Sequence, residues 1–227
     1  MPAARAVIFD LDDTLYPERQ YAFSGFAAVA AAFREWLGDP GEAVNAMRRL
    51  FDTDHRPRVF DFLLAERGIT ETEELVRQMI QTYRAHVPIL NLHPDADAVL
   101  GRLHGQYKLG LITDGPPVSQ WDKIYALGLG ARFDAIIVTS ELGPDCAKPH
   151  PRAFELIARR LGVEAPRCVY VGDNASKDFI APNGLGWTTV RVTRRDGIYS
   201  NSVAPNGGVP NFTIDTLDDL DAIVSQV

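Results

Sequence analysis

Val7-Ile8-Phe9-Asp10-Leu11-Asp12-Asp13-Thr14-Leu15 runs a hydrophobic strand directly into two carboxylates one residue apart. Aspartate is almost never buried without a partner, so a pair at the end of a core strand calls for a cation, a substrate, or both beside it. Hard oxygen donors suit Mg²⁺, which commonly takes one or two carboxylates plus substrate phosphate. The competing interpretation is a polar turn after a strand, because Asp is an ordinary strand-end residue. Three later segments decide against it.

Beyond Leu15 the pattern changes. Apolar positions recur at helical spacing, strand runs vanish, and Gly or Pro punctuates the segments. The spacing predicts four helices: Gln20 to Leu37, with Phe23, Phe26, Ala30, Phe33 and Leu37 on one side; Glu42 to Phe51; Pro57 to Glu66; and Glu71 to His86. From Leu92 onward short apolar strands alternate with amphipathic helices, the mark of a parallel sheet covered on both faces. The expected strands are Leu109 to Ile112, Ala135 to Val138, Cys168 to Val171 and Thr189 to Val192, with an edge strand at Phe212 to Ile214. Val7 to Phe9 belongs to the same sheet. The expected fold is therefore α/β, a Rossmann-like parallel sheet core with helices on both faces and an inserted all-helical cap domain. Its core is discontinuous, residues 1–16 and 90–227, and its cap is 17–89. In such sheets ligands bind beyond the carboxyl ends of the strands, near the switch point of strand order.

The 227 residues are 46% apolar, which is ordinary for a globular protein able to bury a real core. A net charge of −7 argues against a dedicated nucleic-acid binder, which needs concentrated Lys and Arg. The N-terminal residues lead straight into the first strand, leaving no room for a signal peptide, and no run of about 18 apolar residues offers a membrane span. These features predict a soluble, cytoplasmic protein with no membrane partner. Cys146 and Cys168 form no C-x-x-C pair, so neither a disulfide scaffold nor a zinc site is indicated.

Three further strand ends carry chemistry. Leu111-Ile112-Thr113-Asp114-Gly115 puts a hydroxyl and a flexible turn ahead of a helix from Val118 to Leu127; its N–H groups and the positive helix end form a phosphate seat, with Thr113 as donor. Simple helix capping by Thr113 and Asp114 is the alternative. Lys148-Pro149-His150-Pro151 opens another helix. Pro151 suits a first helical position and Pro149 restricts Lys148 to an extended conformation, so the amine is aimed beside anions rather than solvated. Finally, Val171-Gly172-Asp173-Asn174 ends a buried strand in a carboxylate that completes the metal shell begun by Asp10, with Asp178 five residues on. Asp178, with Asn174 nearby, either caps the next helix or touches the metal from outside its direct ligands.

In order, D-x-D-x-T, T-D-G, K-P and G-D-x-x-x-x-D resemble the four motifs of the haloacid dehalogenase superfamily. The resemblance covers the whole core, and the helical insertion after the first motif is similar to the family's C1-type cap. Its phosphatase branches look closest, where T-D-G is followed by Q-x-x-K-I and L-G-L as in Ser119 to Leu129. The resemblance implies that Asp10 attacks phosphorus and becomes an aspartyl phosphate, while Asp12 protonates the leaving alcohol and then activates water. It implies Mg²⁺ held by Asp10, Asp173 and the backbone carbonyl of Asp12, with Thr113, Asp114, Gly115 and Lys148 holding the phosphoryl oxygens. Dehalogenase branches lack an acid at position 12 because a halide leaves unprotonated. Its presence favours a phosphohydrolase acting on a small phosphorylated metabolite, a sugar phosphate or a nucleoside monophosphate. A phosphomutase and a non-catalytic binding module are the alternatives.

The segment Leu142 to Ala147 departs from the family pattern and leaves Cys146 either near the site's mouth or buried as a small hydrophobe. The cationic run Arg48, Arg49, His55, Arg56 and Arg58 is either a solvated face or a receptor for a second anionic group. Tyr16, Tyr21 and Phe23 sit at the expected hinge, suited either to stacking on substrate or to core packing. Arg194 to Pro210 is a mobile loop or a contact surface.

Overall fold

The computed structural model describes residues 5–70 and 72–227. The chain divides into two compact units, Met1–Glu18 with Leu90–Val227, and Arg19–Ile89.

The first unit is built on six parallel strands, β1 Ala6–Phe9, β2 Lys108–Thr113, β3 Ala135–Val138, β4 Cys168–Gly172, β5 Thr188–Val192 and β6 Phe212–Ile214, in the order β3-β2-β1-β4-β5-β6. Parallel strands are buried on both faces, so they read as unbroken apolar runs, and β1 and β4 are buried throughout. One face carries Ala6, Ile8, Ile112, Cys168 and Tyr170 against Ala153, Phe154 and Ile157 of a helix at Arg152–Leu161. The alternate residues Val7, Phe9, Leu109, Leu111, Val169 and Val171 are equally buried, and the Phe9 ring meets Phe133 edge-on at 6.3 Å. The helices at Pro94–Leu103 and Pro117–Ala126 bury Val99, Leu100 and Ile124, so apolar helical surface serves both faces.

Strand order reverses between β1 and β4, which lie side by side with Phe9 opposite Val171. The crevice at their carboxyl ends is the place where such sheets take ligands. Asp10 and Asp173 follow those two strands directly.

The second unit is helical. Numbering helices along the whole chain, it contains α1 Glu18–Ala32 from its second residue on, α2 Arg34–Leu37, α3 Pro40–Phe51, α4 Val59–Glu66 and α5 Glu73–Ala85; the helices already given in the first unit are then α6 (Pro94–Leu103), α7 (Pro117–Ala126) and α8 (Arg152–Leu161), followed by α9 Ile180–Gly184 and α10 Leu220–Val224. Gln20 to Leu37, expected as one helix, is two: Phe33 leaves helical geometry at φ −110° and ψ 29°, after which Leu37 is fully buried. Asp39 then caps α3 by accepting from Glu42 N at 3.0 Å, with Pro40 in the first turn where its missing N–H costs nothing. Arg56–Arg58 forms a 3₁₀ turn ahead of α4, and Glu71, the expected start of the last helix, lies outside the described residues. Phe26 packs edge-on against Phe51 and Phe60 at 5.8 and 6.3 Å.

The cationic run is engaged inside this unit. Arg48 lies over the Phe23 ring, Arg56 over Phe51, and His55 stacks on Phe62 at 3.8 Å; Arg49 pairs with Glu66 and Arg58 with Asp61, each at 2.9 Å. Tyr21 and Phe26 are buried core residues here. Among the described residues no helix is long and apolar enough to cross a membrane.

Candidate active site

The sheet topology gathers the acids of the first and last motifs. Ligand atoms of Asp10, Asp173 and Asp178 lie within 4.8 Å of one another, and all three side chains are buried. Lys148 joins them: its Nζ donates to Asp10 Oδ1 at 2.5 Å, pairs with Asp178 Oδ1 at 2.8 Å, and reaches Tyr170 Oη at 3.1 Å. The Lys148–Pro149 peptide is cis. Asp173 Oδ1 accepts from Thr14 Oγ1 at 3.3 Å.

Asp178 belongs with the acids and does not cap the following helix. Phe179 occupies the N-cap of α9, and Asp178 Oδ2 instead accepts from Asn174 N at 2.9 Å. Gly172 makes room for it, since a Cβ there would fall 2.6 Å from Asp178 Oδ2.

The T-D-G turn is braced from several sides. Thr113 Oγ1 donates to Gln120 Oε1 at 2.8 Å, and Gly115, at φ +140°, packs under the same amide, where any side chain would collide. The Asp114 carboxylate accepts from Thr139 Oγ1 at 2.8 Å, Lys148 N at 3.1 Å and Lys177 Nζ at 2.7 Å. Asp12 points elsewhere. Its Oδ1 accepts from Lys123 Nζ at 2.7 Å and from the Tyr16 hydroxyl.

Sequence reasoning missed four participants: Lys123, Lys177, Asp13 and Glu18. Lys123 stands within the Q-x-x-K-I stretch and Lys177 one residue before Asp178, but charge pairing across such separations has no local signature. Asp13, in the left-handed region at φ 51°, is buried and accepts from Glu18 N at 2.8 Å and Ile198 N at 2.6 Å. Non-glycine residues in this region are uncommon, and Asp is among those that tolerate it best. The segment from Arg194 is thereby tied down: Arg194 pairs with Asp95 at 2.7 Å, and Ser202 Oγ accepts from Ala175 N at 3.0 Å. It carries Tyr199 to the rim of a cavity of about 140 Å³, whose other walls include Asp10, Asp12, Glu18, Asp173 and Lys177. Cys146 is buried, with its Sγ 3.4 Å from Leu142 O.

The electrostatics follow from this crowding. Burial pushes Asp10 up to about 7; Lys148 opposes the shift and Asp178 adds to it. Asp173 is driven well above the usual carboxylate range by burial, then by Asp178 and Asp10. Glu18 rises to about 8, first through burial and then through Asp12, with Lys123 working against it. Burial also opposes the charge on Lys148, yet Asp10 and Asp178 hold it firmly protonated. At Asp114 burial is outweighed by Lys148 and Lys177, which keep the carboxyl below its ordinary value. Hard oxygen donors carrying more negative charge than the lysines neutralise are a donor set suited to a divalent cation.

A family model described as haloacid dehalogenase-like hydrolase matches residues 4–186. The chain belongs to the haloacid dehalogenase-like hydrolase family. Within that family it is 34% identical over 232 residues to a glyceraldehyde 3-phosphate phosphatase of Methanopyrus kandleri, covering 98% of each chain. The like-named protein of Methanocaldococcus jannaschii is 30% identical, again over 98% of each chain. Among solved structures, a haloacid dehalogenase-type phosphatase from Thermococcus onnurineus aligns over 97% of each chain with a TM-score of 0.62 and 26% identity. As a haloacid dehalogenase-like hydrolase with phosphatases as relatives, the chain is an enzyme of phosphate monoester hydrolysis.

Proposed function

We propose that this enzyme hydrolyses a small phosphate monoester in two steps, with Asp10 as nucleophile, Asp12 as acid and then base, and Mg²⁺ as cofactor. One observation supports it above the rest: two carboxyls two residues apart face one cavity with separate partners, Asp10 tied to Lys148 and Asp12 to Lys123 and Tyr16. A carboxylate that attacks and a carboxyl that moves a proton need different surroundings, and these side chains have them.

Asp10 forms the bond to phosphorus as the ester oxygen departs, and Asp12 supplies that oxygen's proton. In the second step Asp12 takes a proton from water, which attacks phosphorus and frees Asp10. The N–H groups of Asp114 and Gly115, with Lys148, hold the phosphoryl oxygens as charge spreads over them, and the Thr113 hydroxyl joins them once it turns from Gln120. Lys177, paired with Asp114, adds positive charge on the same side. The residues that would hold Mg²⁺ are Asp10, Asp173 and the Asp12 carbonyl, with Asp178 alongside. When bound it would offset the repulsion between carboxylate and phosphate.

The helical unit, residues 19–89, serves in this proposal as a cap over substrate, and the enzyme works in the cytoplasm. Glyceraldehyde 3-phosphate, for which two archaeal relatives are named, is the first substrate to try. Phosphate release from it and from p-nitrophenyl phosphate should require Mg²⁺, and a single turnover in heavy-oxygen water should place the label in phosphate. Transfer to an added alcohol without release of phosphate would mean a phosphotransferase, and label-free phosphate would mean that water attacks the Asp10 acyl carbon rather than phosphorus.

A further inference from the structure

Once the strand-end motifs are assigned to the phosphoryl group and its cation, the cavity retains two wall residues with no part in that chemistry, Glu18 and Tyr199. They come from different segments, yet one buried side chain fixes both. Asp13 accepts from the N–H of Glu18 itself and from that of Ile198, the residue before Tyr199. Whatever lies beyond the phosphoryl group must meet a carboxyl and a phenol held in register.

The wall is also one-sided in its ionisable side chains. The carboxyls of Asp10, Asp12, Asp114, Asp173 and Glu18 line it beside the amine of Lys177. Lys177 is committed to Asp114, and Lys148 is turned to Asp10 and Asp178. An entering leaving group with a carboxylate of its own would find no uncommitted lysine or arginine among these lining residues. Within the helical unit the cationic run is itself engaged, Arg48 by Phe23, Arg56 by Phe51, Arg49 by Glu66 and Arg58 by Asp61. A volume of about 140 Å³ is small beside the roughly 300–1,000 Å³ common for ligand pockets, and it suits a short chain.

We infer that Glu18 determines specificity by hydrogen bonding to a hydroxyl of a short polyol or aldose phosphate, while excluding leaving groups that carry a second anionic group. This rests on the phosphohydrolase reading above and sharpens it. It runs opposite to the idea that the cationic run selects doubly anionic substrates.

The test compares the Mg²⁺-loaded enzyme on matched pairs: 2-hydroxyethyl phosphate against 2-phosphoglycolate, and glycerol 3-phosphate against 3-phosphoglycerate. The wild type should favour the hydroxyl member of each pair in kcat/KM by about tenfold or more. Glu18→Lys should shrink that preference by about tenfold, chiefly through a lower KM for the carboxylates. Glu18→Ala should shrink it through a higher KM for the hydroxyl compounds. Equal wild-type rates on both members, or a preference unchanged in both variants, would overturn the inference. The wild-type ratio needs no variant, so a folding failure does not shelter the proposal. Turnover of p-nitrophenyl phosphate without discrimination within the pairs sinks this inference alone. Absence of Mg²⁺-dependent release from every compound sinks the hydrolase reading and this inference with it.

Discussion

Lys123 Nζ lies 2.7 Å from Asp12 Oδ1 across 111 residues of sequence, and the two side chains are only 5% and 19% exposed. The Tyr16 hydroxyl donates to the same oxygen. A carboxyl that must give and take a proton is useful only if it stays aimed, and this pair of donors aims it. Asp12→Asn should therefore cost roughly 10²–10⁴ in rate on alkyl phosphates and much less on p-nitrophenyl phosphate, whose leaving group needs little protonation. Lys123→Met should follow the same substrate pattern more weakly. It should also destabilise the fold by about 3–5 kcal/mol, because it strands a partly buried charge. Equal losses on both substrates would count against the acid role.

The acids at positions 10, 173 and 178 repel one another, so the metal-free protein should gain from a cation. Mg²⁺ at about a hundred times its dissociation constant should add about 2.7 kcal/mol of stability, seen as a rise in melting temperature. Asp173→Asn should abolish most of that rise. A Mg²⁺-induced shift that persists in this variant would place the cation elsewhere.

Asp10→Asn should abolish turnover while keeping the native fold. Asp10 is buried at a cost to its charged form, and Lys148 retains Asp178 when the charge is removed. Circular dichroism and melting alongside the rate separate the two effects. Wild-type turnover in this variant would remove the nucleophile assignment.

Gly172→Ala tests the packing of Asp178. The added methyl would stand 2.6 Å from Asp178 Oδ2, so that carboxylate must move away from Lys148 and Asn174 N. We expect weaker Mg²⁺ affinity and a rate loss of at least about tenfold, consistent with reacting groups tolerating little displacement. Isothermal titration with Mg²⁺ reads the first effect apart from the second.

His93 and Asp95 set the response to acid. Burial, and then Arg194, lower His93 to about 4, and its Nε2 is buried without a hydrogen-bond partner. The unfolded chain takes up this proton near pH 6.5 and the folded one only near 4, so stability should fall as pH drops through that window. Burial works against the charge on Asp95, but Arg194 and the N–H of Leu217 hold its carboxyl below the ordinary range. Its contribution is present above the unfolded value and is lost only as pH falls through the folded one. His93→Gln should flatten the decline between pH 6.5 and 4 while sparing the later loss. An unchanged melting profile would exclude His93 as the cause.

The strands, their parallel pairing and the motifs at their ends were legible in the chain. Fully buried strands must be unbroken apolar runs, and the residues that turn the chain at their tips stand beside them in sequence. Asp10, Thr113 and Asp173 were singled out this way, each at the end of an apolar run, whereas Lys148 was marked by the prolines that follow it. The break at Phe33 was not, because the apolar spacing from Phe23 to Leu37 is compatible with an uninterrupted helix. Nor was the anchoring of the chain after Arg194, whose Gly, Asn and Ser content reads as loose until Asp13 and Asp95 are seen to hold it.

Charge partnership lay beyond the sequence altogether. Whether Asp178 caps a helix or joins Asp10, which lysine answers Asp12, and that Glu18 and Tyr199 share one wall depend on strand order and on chain segments far apart in number. Hydrophobic period and turn chemistry act between near neighbours, so the order of residues alone determined the sheet and the motif positions. Electrostatic pairing in a buried site acts through space, and only the folded chain decided which charges meet.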